Sequence, residues 1–295
     1  MPELRGATVT TRNVEDAVSR YREWLGYVVV ESGEVDDGLA ASWGAPVSFG
    51  RSYALLQPAS GAPVFLRFVE GSSEPGYQPL RTYGWAAIEL CVSDTLAVNE
   101  RLEGSPFRII GAPRELDTMP AIFPMQVEGP DQEILYLTQI RDDPPEYDLP
   151  RAGSLVDRLF IVVLACADLE RSMRWFERTL GLRLGSRIEL EYRMLSRAFS
   201  LPQHHRHVIA TAGHRRECFL ELDQYPSNAT PRPGSPGALK PGIALATFAH
   251  PDLGEIPPDD WISPPRVRPG LLYDGQIAGT LCAPDGTLVE VVQST

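Results

Sequence analysis

Two glutamates stand out against apolar surroundings: Glu221 in Phe-Leu-Glu-Leu and Glu290 in Leu-Val-Glu-Val-Val. Both runs are rich in strand-forming residues. Alternation along a strand places Phe219, Glu221 and Asp223 on one face, and Leu288, Glu290 and Val292 on another. A buried carboxylate is costly unless it is paired, hydrogen-bonded or neutral. If the two glutamates face each other, repulsion keeps a proton on one of them. Such a pair can take a proton from a carbon or a hydroxyl while its neighbour donates, which is general acid–base catalysis. The opposing reading is an inert pair held by nearby Arg, Tyr or water.

Other side chains could assist. All five histidines fall in the second half of the chain, three of them in Gln-His-His-Arg-His (203–207). On a strand, His205 and His207 would share a face at a spacing some metal pairs use. The interleaved Arg206 and the preceding Leu-Pro point instead to a loop that rims a substrate. Tyr192, Arg193, Met194 and Phe199 form an apolar and aromatic stretch suited to a flat hydrophobic ligand. In the first half, Arg67 and Glu89 both read as inward-facing. They would form either a structural plug with the Tyr136 hydroxyl or, through Arg67, a site for an anionic group. No phosphate-cradling Gly-rich loop and no nucleophile elbow occurs, which disfavours the usual kinases, nicotinamide enzymes and serine hydrolases.

The elements that must carry these residues come as a repeat. Residues 9–27 and 164–182 align at one offset, matching Asn13 with Asp168, Tyr21 with Phe176 and Gly26 with Gly181. Toward the ends of the copies, Gly129-Pro130-Asp131 matches Ala283-Pro284-Asp285. The chain of 295 residues is therefore two copies of about 150 residues. They are joined by the polar, Pro-rich stretch 141–155. In each copy a strand leads to a capping Asn or Asp and then to one amphipathic helix. Val14, Val18, Tyr21 and Leu25 form the buried stripe in the first; Leu169, Met173, Phe176 and Leu180 form it in the second. A glycine stops the helix. Further strands start at Trp85 and Ile243, and Pro284-Asp285-Gly286 signals a closing hairpin. Each copy thus reads as two βαβββ modules. A helix over 94–102 is weakly encoded, and 249–262 reads as irregular.

Composition limits the partners. The formal charge is −12, with 39 acidic and 27 basic residues and no basic cluster, so neither nucleic acid nor an anionic membrane surface is expected. No apolar run reaches the roughly 18 residues of a membrane span, and the N-terminus lacks a signal-peptide pattern. A cytoplasmic location is expected. The four cysteines, Cys91, Cys166, Cys218 and Cys282, are far apart and read as free thiols.

The segment Ala-Asp-Leu-Glu-Arg-Ser-Met-Arg-Trp-Phe, its Leu-Gly-Leu stop and the closing Ala-Pro-Asp-Gly-Thr-Leu-Val-Glu-Val resemble the vicinal oxygen chelate superfamily. This is the group of glyoxalases, extradiol dioxygenases and bleomycin-resistance proteins. The resemblance implies an α+β fold in which tandem βαβββ modules form two cupped, eight-stranded open barrels with helices outside. The constant offset of the repeat and its matched caps assign one cup to residues 1–140 and the other to 156–295. The resemblance also implies a divalent metal held by His or Glu from the first and last strand of each module. Those positions fall on Gly6, Arg67, Ala87 and Tyr136 in the first copy, and on Ile161, Glu221, Leu245 and Glu290 in the second. The first set offers no conventional site. The second keeps two carboxylates, which at most bind Mg²⁺ or Ca²⁺ weakly.

The expectation is an enzyme of isomerase, lyase or dioxygenase type, acting on a small apolar or aromatic oxygenated compound in the second copy. Glu221 and Glu290 would be the catalytic pair, and Tyr192, Arg193, His205, His207 and Phe199 would contact the substrate. The alternative is a non-catalytic protein that sequesters a small molecule; the acidic charge would then suit a cationic ligand. A homodimer is compatible with either.

Overall fold

A computed structural model describes residues 1–72, 74–116 and 119–294. The first module holds β1 (Glu3–Thr11), α1 (Val14–Leu25), β2 (Val28–Glu34), the short α2 (Asp37–Ser42), β3 (Ser52–Gln57) and β4 (Phe65–Glu70). The second holds β5 (Gly84–Val92), α3 (Thr95–Leu102), β6 (Arg108–Gly111), β7 (Ile122–Glu128) and β8 (Ile134–Ile140). The third holds β9 (Val156–Cys166), α4 (Leu169–Leu180), β10 (Arg183–Glu191), the short α5 (Arg193–Ala198), β11 (Arg206–His214) and β12 (Glu217–Gln224). The fourth holds β13 (Gly242–His250), β14 (Arg266–Val267), β15 (Ile277–Ala283) and β16 (Thr287–Gln293). Its segment 249–262, expected to be irregular, carries only two single 3₁₀ turns, at 253–255 and 258–260.

Local chemistry sets the helix ends. Asn13 accepts from the Asp16 amide and Asp168 from the Arg171 amide, each satisfying a free N-terminal donor. Gly26 and Gly181 take left-handed φ of 72° and 63°, which a side chain resists. The weakly encoded helix forms as well, because Asp94 accepts from the amides of both Leu96 and Ala97. At the last hairpin, Asp285 and Gly286 both have positive φ, matching the twist of β15 and β16.

The sixteen strands make two mixed eight-stranded sheets, ordered β14-β15-β16-β13-β1-β4-β3-β2 and β10-β11-β12-β9-β5-β8-β7-β6. The outer modules, first and fourth, share one sheet, and the inner modules, second and third, share the other. This corrects the expectation that residues 1–140 and 156–295 each close a cup of their own. The seams are antiparallel: β1 on β13, with Thr8 opposite Leu245, and β5 on β9, with Glu89 opposite Ile161. A strand edge offers the same hydrogen bonds whichever copy lies beside it. An internal repeat therefore shows which modules are alike, not which of them pair.

One core joins the outer faces of both sheets to the long helices. Phe176 of α4 packs edge-on against Trp85 of β5 and Phe248 of β13, and its burial is worth about 2–3 kcal/mol. Two further apolar clusters fill the concave faces. Trp43, Leu55, Phe65, Leu245 and Tyr273 lie in the first cup, under α2. Ala87, Tyr136, Ile161, Val163, Leu195 and Phe199 lie in the second, under α5. No helix among the described residues is long and apolar enough to cross a membrane.

Candidate functional site

The two cups differ in what occupies their floors. In the first, β4 carries Arg67 and β16 carries Glu290, only 3% and 1% exposed, and their charges meet at 3.0 Å. The Glu290 carboxylate takes four donors. Trp43 Nε1 (2.9 Å) and the Tyr273 hydroxyl (2.8 Å) reach Oε1; Arg67 and the Thr247 hydroxyl (2.8 Å) reach Oε2. Arg67 also donates to Thr8 Oγ1 at 2.9 Å and to the Tyr273 hydroxyl, and its guanidinium lies 4.7 Å from the Trp43 ring centre. Burial opposes the charge on Glu290, but Arg67 and the ring of donors outweigh it and hold the carboxyl below its ordinary range. A carboxylate so saturated has no lone pair to spare.

The expected geometry is thus corrected in three respects. Glu290 and Glu221 do not face each other, because they belong to different sheets. Glu290 is held ionised and is not a carboxyl with a raised pKa. Arg67 does form a structural plug, but its partner is Glu290 rather than Glu89, and the phenol that joins it is Tyr273 rather than Tyr136. The weak cation site imagined between Glu221 and Glu290 falls with the first of these.

The second cup is open. A cavity of about 450 Å³ reaches its floor and is lined there by Glu89, Gln126, Tyr136, Tyr192 and Glu221. Glu89 comes from β5 and Tyr136 from the parallel neighbour β8, where the two are register partners. Glu221 comes from β12, beside Val163 of β9. Tyr192 caps α5 and reaches inward, its hydroxyl 2.6 Å from that of Tyr136 and 3.4 Å from Glu221 Oε1. Asp223 lies two residues beyond Glu221, on the same face and 2% exposed, and its Oδ1 has no hydrogen-bond partner. A register irregularity near Cys218 breaks the alternation before Glu221. Phe219 consequently turns into the main core against Phe248, away from the face predicted for it.

Burial makes three carboxyls of this floor hold their protons to unusually high pH. Burial first, then the nearby Asp223 charge and the hydrogen bond between them, raise Glu221 well above its ordinary value. Burial raises Asp223 to about 7, moderated by the hydrogen bond from Glu221. Burial raises Glu89 to about 8; the Thr138 hydroxyl moderates this, and the charge of Glu221 adds to it. The proton of the pair therefore rests on Glu221, the side that faces the cavity, which donates it to Asp223.

The remaining predicted contacts divide. Tyr192 and Arg193 line the cavity, whereas His205, His207 and Phe199 are not among its lining residues. His207 is buried, its Nε2 2.9 Å from the Ser196 hydroxyl, and burial lowers its pKa to about 4. It therefore stays neutral and ties α5 to β11. His205 is exposed just before β11, its ring 4.8 Å from that of His207. Phe199 is 4% exposed and packs 5.5 Å from the Tyr225 ring, away from the mouth expected for it. Sequence reasoning missed Asp223 as the partner of Glu221, although their i, i+2 spacing was the available signal. It missed Trp43 and Tyr273 because nothing local marks a loop residue as a donor to a strand 17 or more positions away.

The metal implied by the resemblance needs donors that these cups do not supply. Among the described residues no group of three His, Cys, Asp or Glu side chains converges. The first cup offers only the saturated Glu290, and in the second Ala87 and Ile161 bring no donor atoms. This donor set does not fit a conventional divalent centre.

The whole chain superposes on solved structures. A single-residue variant of glyoxalase I from Zea mays matches with a TM-score of 0.67 at 16% identity, over 99% of this chain and 94% of that one. A putative dioxygenase from Bacillus subtilis matches with a TM-score of 0.63 at 13% identity, over 99% and 84%. The chain has the fold of these two structures. At such identity the likeness extends to the scaffold alone, since unrelated chemistries share one fold. No family model matches the sequence, and no curated protein matches it.

Proposed function

We propose that the second cup is the site of a proton-transfer enzyme, of isomerase or lyase type, acting on a small oxygenated compound without a metal. One observation carries this reading: Glu221 lines an open cavity with the buried Asp223 beside it on the same face of β12, so that one carboxyl can hold a proton for the other. When the proton of the pair passes from Glu221 to Asp223, Glu221 becomes a carboxylate that can take a proton from a substrate carbon next to a carbonyl. The charge that develops on the carbonyl oxygen needs donors. The Tyr192 and Tyr136 hydroxyls, 2.6 Å apart, offer one O–H beyond the bond they make to each other, and Glu89 offers another while protonated. Returning the proton to a neighbouring atom completes an isomerisation; losing a leaving group at the adjacent carbon completes an elimination. The first cup, whose carboxylate is locked by Arg67, takes no part in the chemistry.

A panel of candidate compounds tests this even while the natural substrate is unidentified. Small hydroxycarbonyl and aryl carbonyl compounds are incubated with the protein in D₂O, and carbon-bound hydrogen exchange is followed by NMR. Exchange should occur with at least one compound and should fall by about two orders of magnitude or more in Glu221→Gln, the loss expected for a general base. Glu290→Gln should leave the exchange of folded protein unchanged. Exchange that is indifferent to Glu221→Gln would refute the reading. A compound that binds in this cavity yet never exchanges would favour a protein that encloses its ligand without changing it.

A further inference from the structure

Three arginines stand at the mouth of the second cup, in a chain whose overall charge is −12: Arg114, Arg193 and Arg206. Glu115 binds Arg141 and Glu191 meets His204, while Arg206 lies against Glu189. Arg193 is different. It is exposed at the start of α5, and its side chain has no ion pair or hydrogen bond among the described residues. It also stands where two hollows meet. A smaller cavity of about 240 Å³ adjoins the first and shares Arg114, Gln126, Tyr192 and Arg193 with it; its other walls include Ile110, Pro113, Met194 and Arg197, whose guanidinium donates to the Ile110 carbonyl. The unpaired Arg193 therefore lines both an outer lobe with Ile110, Pro113 and Met194 in its wall and an inner lobe floored by carboxyls and phenols.

The geometry points to a small carboxylate with an apolar or aromatic group as the ligand of this cup, its carboxylate paired with Arg193. This rests on the reading of the cup as a substrate site and names the class of substrate. It reverses the cationic ligand that the overall charge suggests. A guanidinium offers a planar pair of N–H donors to a carboxylate. Tyr192 is the neighbouring residue and lines both lobes with it. An acid with an oxygen on the carbon beside its carboxylate could thus meet Arg193 and Tyr192 together, with its apolar group in the outer lobe. The floor carboxyls repel such an anion little while they hold protons, and Arg193 supplies the positive charge that the floor lacks.

The test uses two probes that differ only in charge, 3-phenyllactate and its neutral amide, with binding measured by calorimetry near neutral pH. The carboxylate should bind the unaltered protein at least about tenfold more tightly than the amide, a difference of about 1.4 kcal/mol. Arg193→Gln should bring the two probes to within about twofold, leaving the affinity for the amide unchanged. Arg206→Gln, at a mouth residue already engaged with Glu189, should preserve the preference. The inference is overturned if the amide binds as well as the acid, if the preference survives Arg193→Gln, or if millimolar phenyllactate does not bind. None of these results bears on whether Glu221 and Asp223 share a proton. An infrared titration of the ligand-free carboxyls reads that separately, so failure of the ligand class and failure of the proton-transfer reading are distinguishable.

Discussion

Replacing Arg67 with Met removes the cation from a carboxylate that is 1% exposed and leaves it three neutral donors, Trp43, Thr247 and Tyr273. Breaking a buried pair from one side typically costs about 3–5 kcal/mol. The cost has a ceiling that can be worked out, because Glu290 can escape by taking up a proton. Starting from an ordinary carboxyl pKa of about 4.3, protonation at pH 7 costs about 3.7 kcal/mol, and at pH 5 about 1 kcal/mol. In the intact protein the folded pKa of Glu290 is depressed, so its contribution is present above the ordinary carboxyl value and is lost as pH falls through the folded one. In Arg67→Met the sign inverts. The folded pKa rises above the unfolded one, so stability is best in acid and declines as pH climbs toward the new value.

The difference in unfolding free energy between intact protein and Arg67→Met should therefore shrink by about 2–3 kcal/mol between pH 7 and pH 5. A remainder of about 1–2 kcal/mol should persist at both pH values, from the lost bonds to Thr8 and Tyr273 and the lost packing on Trp43. Glu290→Gln supplies the contrast. It strands a guanidinium that cannot discharge in this range, so its cost should be nearly flat with pH. Urea unfolding followed by circular dichroism at several pH values measures both. Parallel pH profiles for the two variants would refute the account of the first cup as an ion-pair plug, as would a cost under about 1 kcal/mol for Arg67→Met at pH 7.

Three further outcomes are expected. Asp223 holds its proton to about pH 7 when folded, a raised value, so its contribution is full below the ordinary carboxyl range and is lost as pH rises through about 7. The melting temperature should fall over that interval, and Asp223→Asn should flatten the decline, as thermal scans across pH will show. A Cβ at Gly213 would lie 1.8 Å from the Glu217 carbonyl oxygen in the turn from β11 to β12; Gly213→Ala should therefore cost about 1–3 kcal/mol in urea unfolding. Asp168→Ala, which removes the cap of α4, should cost about 1 kcal/mol by the same measurement.

The features legible in the chain were those that local physics encodes. Asn13 and Asp168, the stripes through Tyr21 and Phe176, and the stops at Gly26 and Gly181 each act within a few residues of their own position, so they are visible in the chain. The inward aim of Glu89, Glu221 and Glu290 was legible for the same reason, because strand alternation is local. Which carboxyl met which partner was not. Arg67 and Glu290 are 223 positions apart and meet only because β1 lies beside β13. The sequence carries two equivalent candidates for each seam, and their backbone edges are interchangeable. The choice shows only in side chains that meet after the seam has formed.

That choice also explains why one fold has two unlike cups. Both begin with carboxyls aimed into an apolar hollow, and what differs is the compensation. In the first, Arg67, Trp43, Thr247 and Tyr273 converge on Glu290, so charge is retained and no acceptor remains free. In the second, Glu89 bonds the Thr138 hydroxyl and Glu221 bonds the Tyr192 hydroxyl and Asp223, and no ion pair to these three carboxyls is found among the described residues. Protons then take the place of the missing arginine. A proton can leave and a guanidinium cannot, so the same burial that makes the first cup rigid and inert makes the second responsive to whatever enters it. Introducing a cation at the floor tests this directly. Val163 stands beside Glu221 across the β9–β12 pair, and Val163→Arg should lower the Glu221 pKa toward the ordinary carboxyl range. Infrared carboxyl bands near pH 7 should lose the protonated signal of the pair, and the hydrogen exchange of the second cup should fall with it. If the protonated band persists in a folded Val163→Arg protein whose guanidinium lies on the floor, the contrast drawn between the cups is wrong.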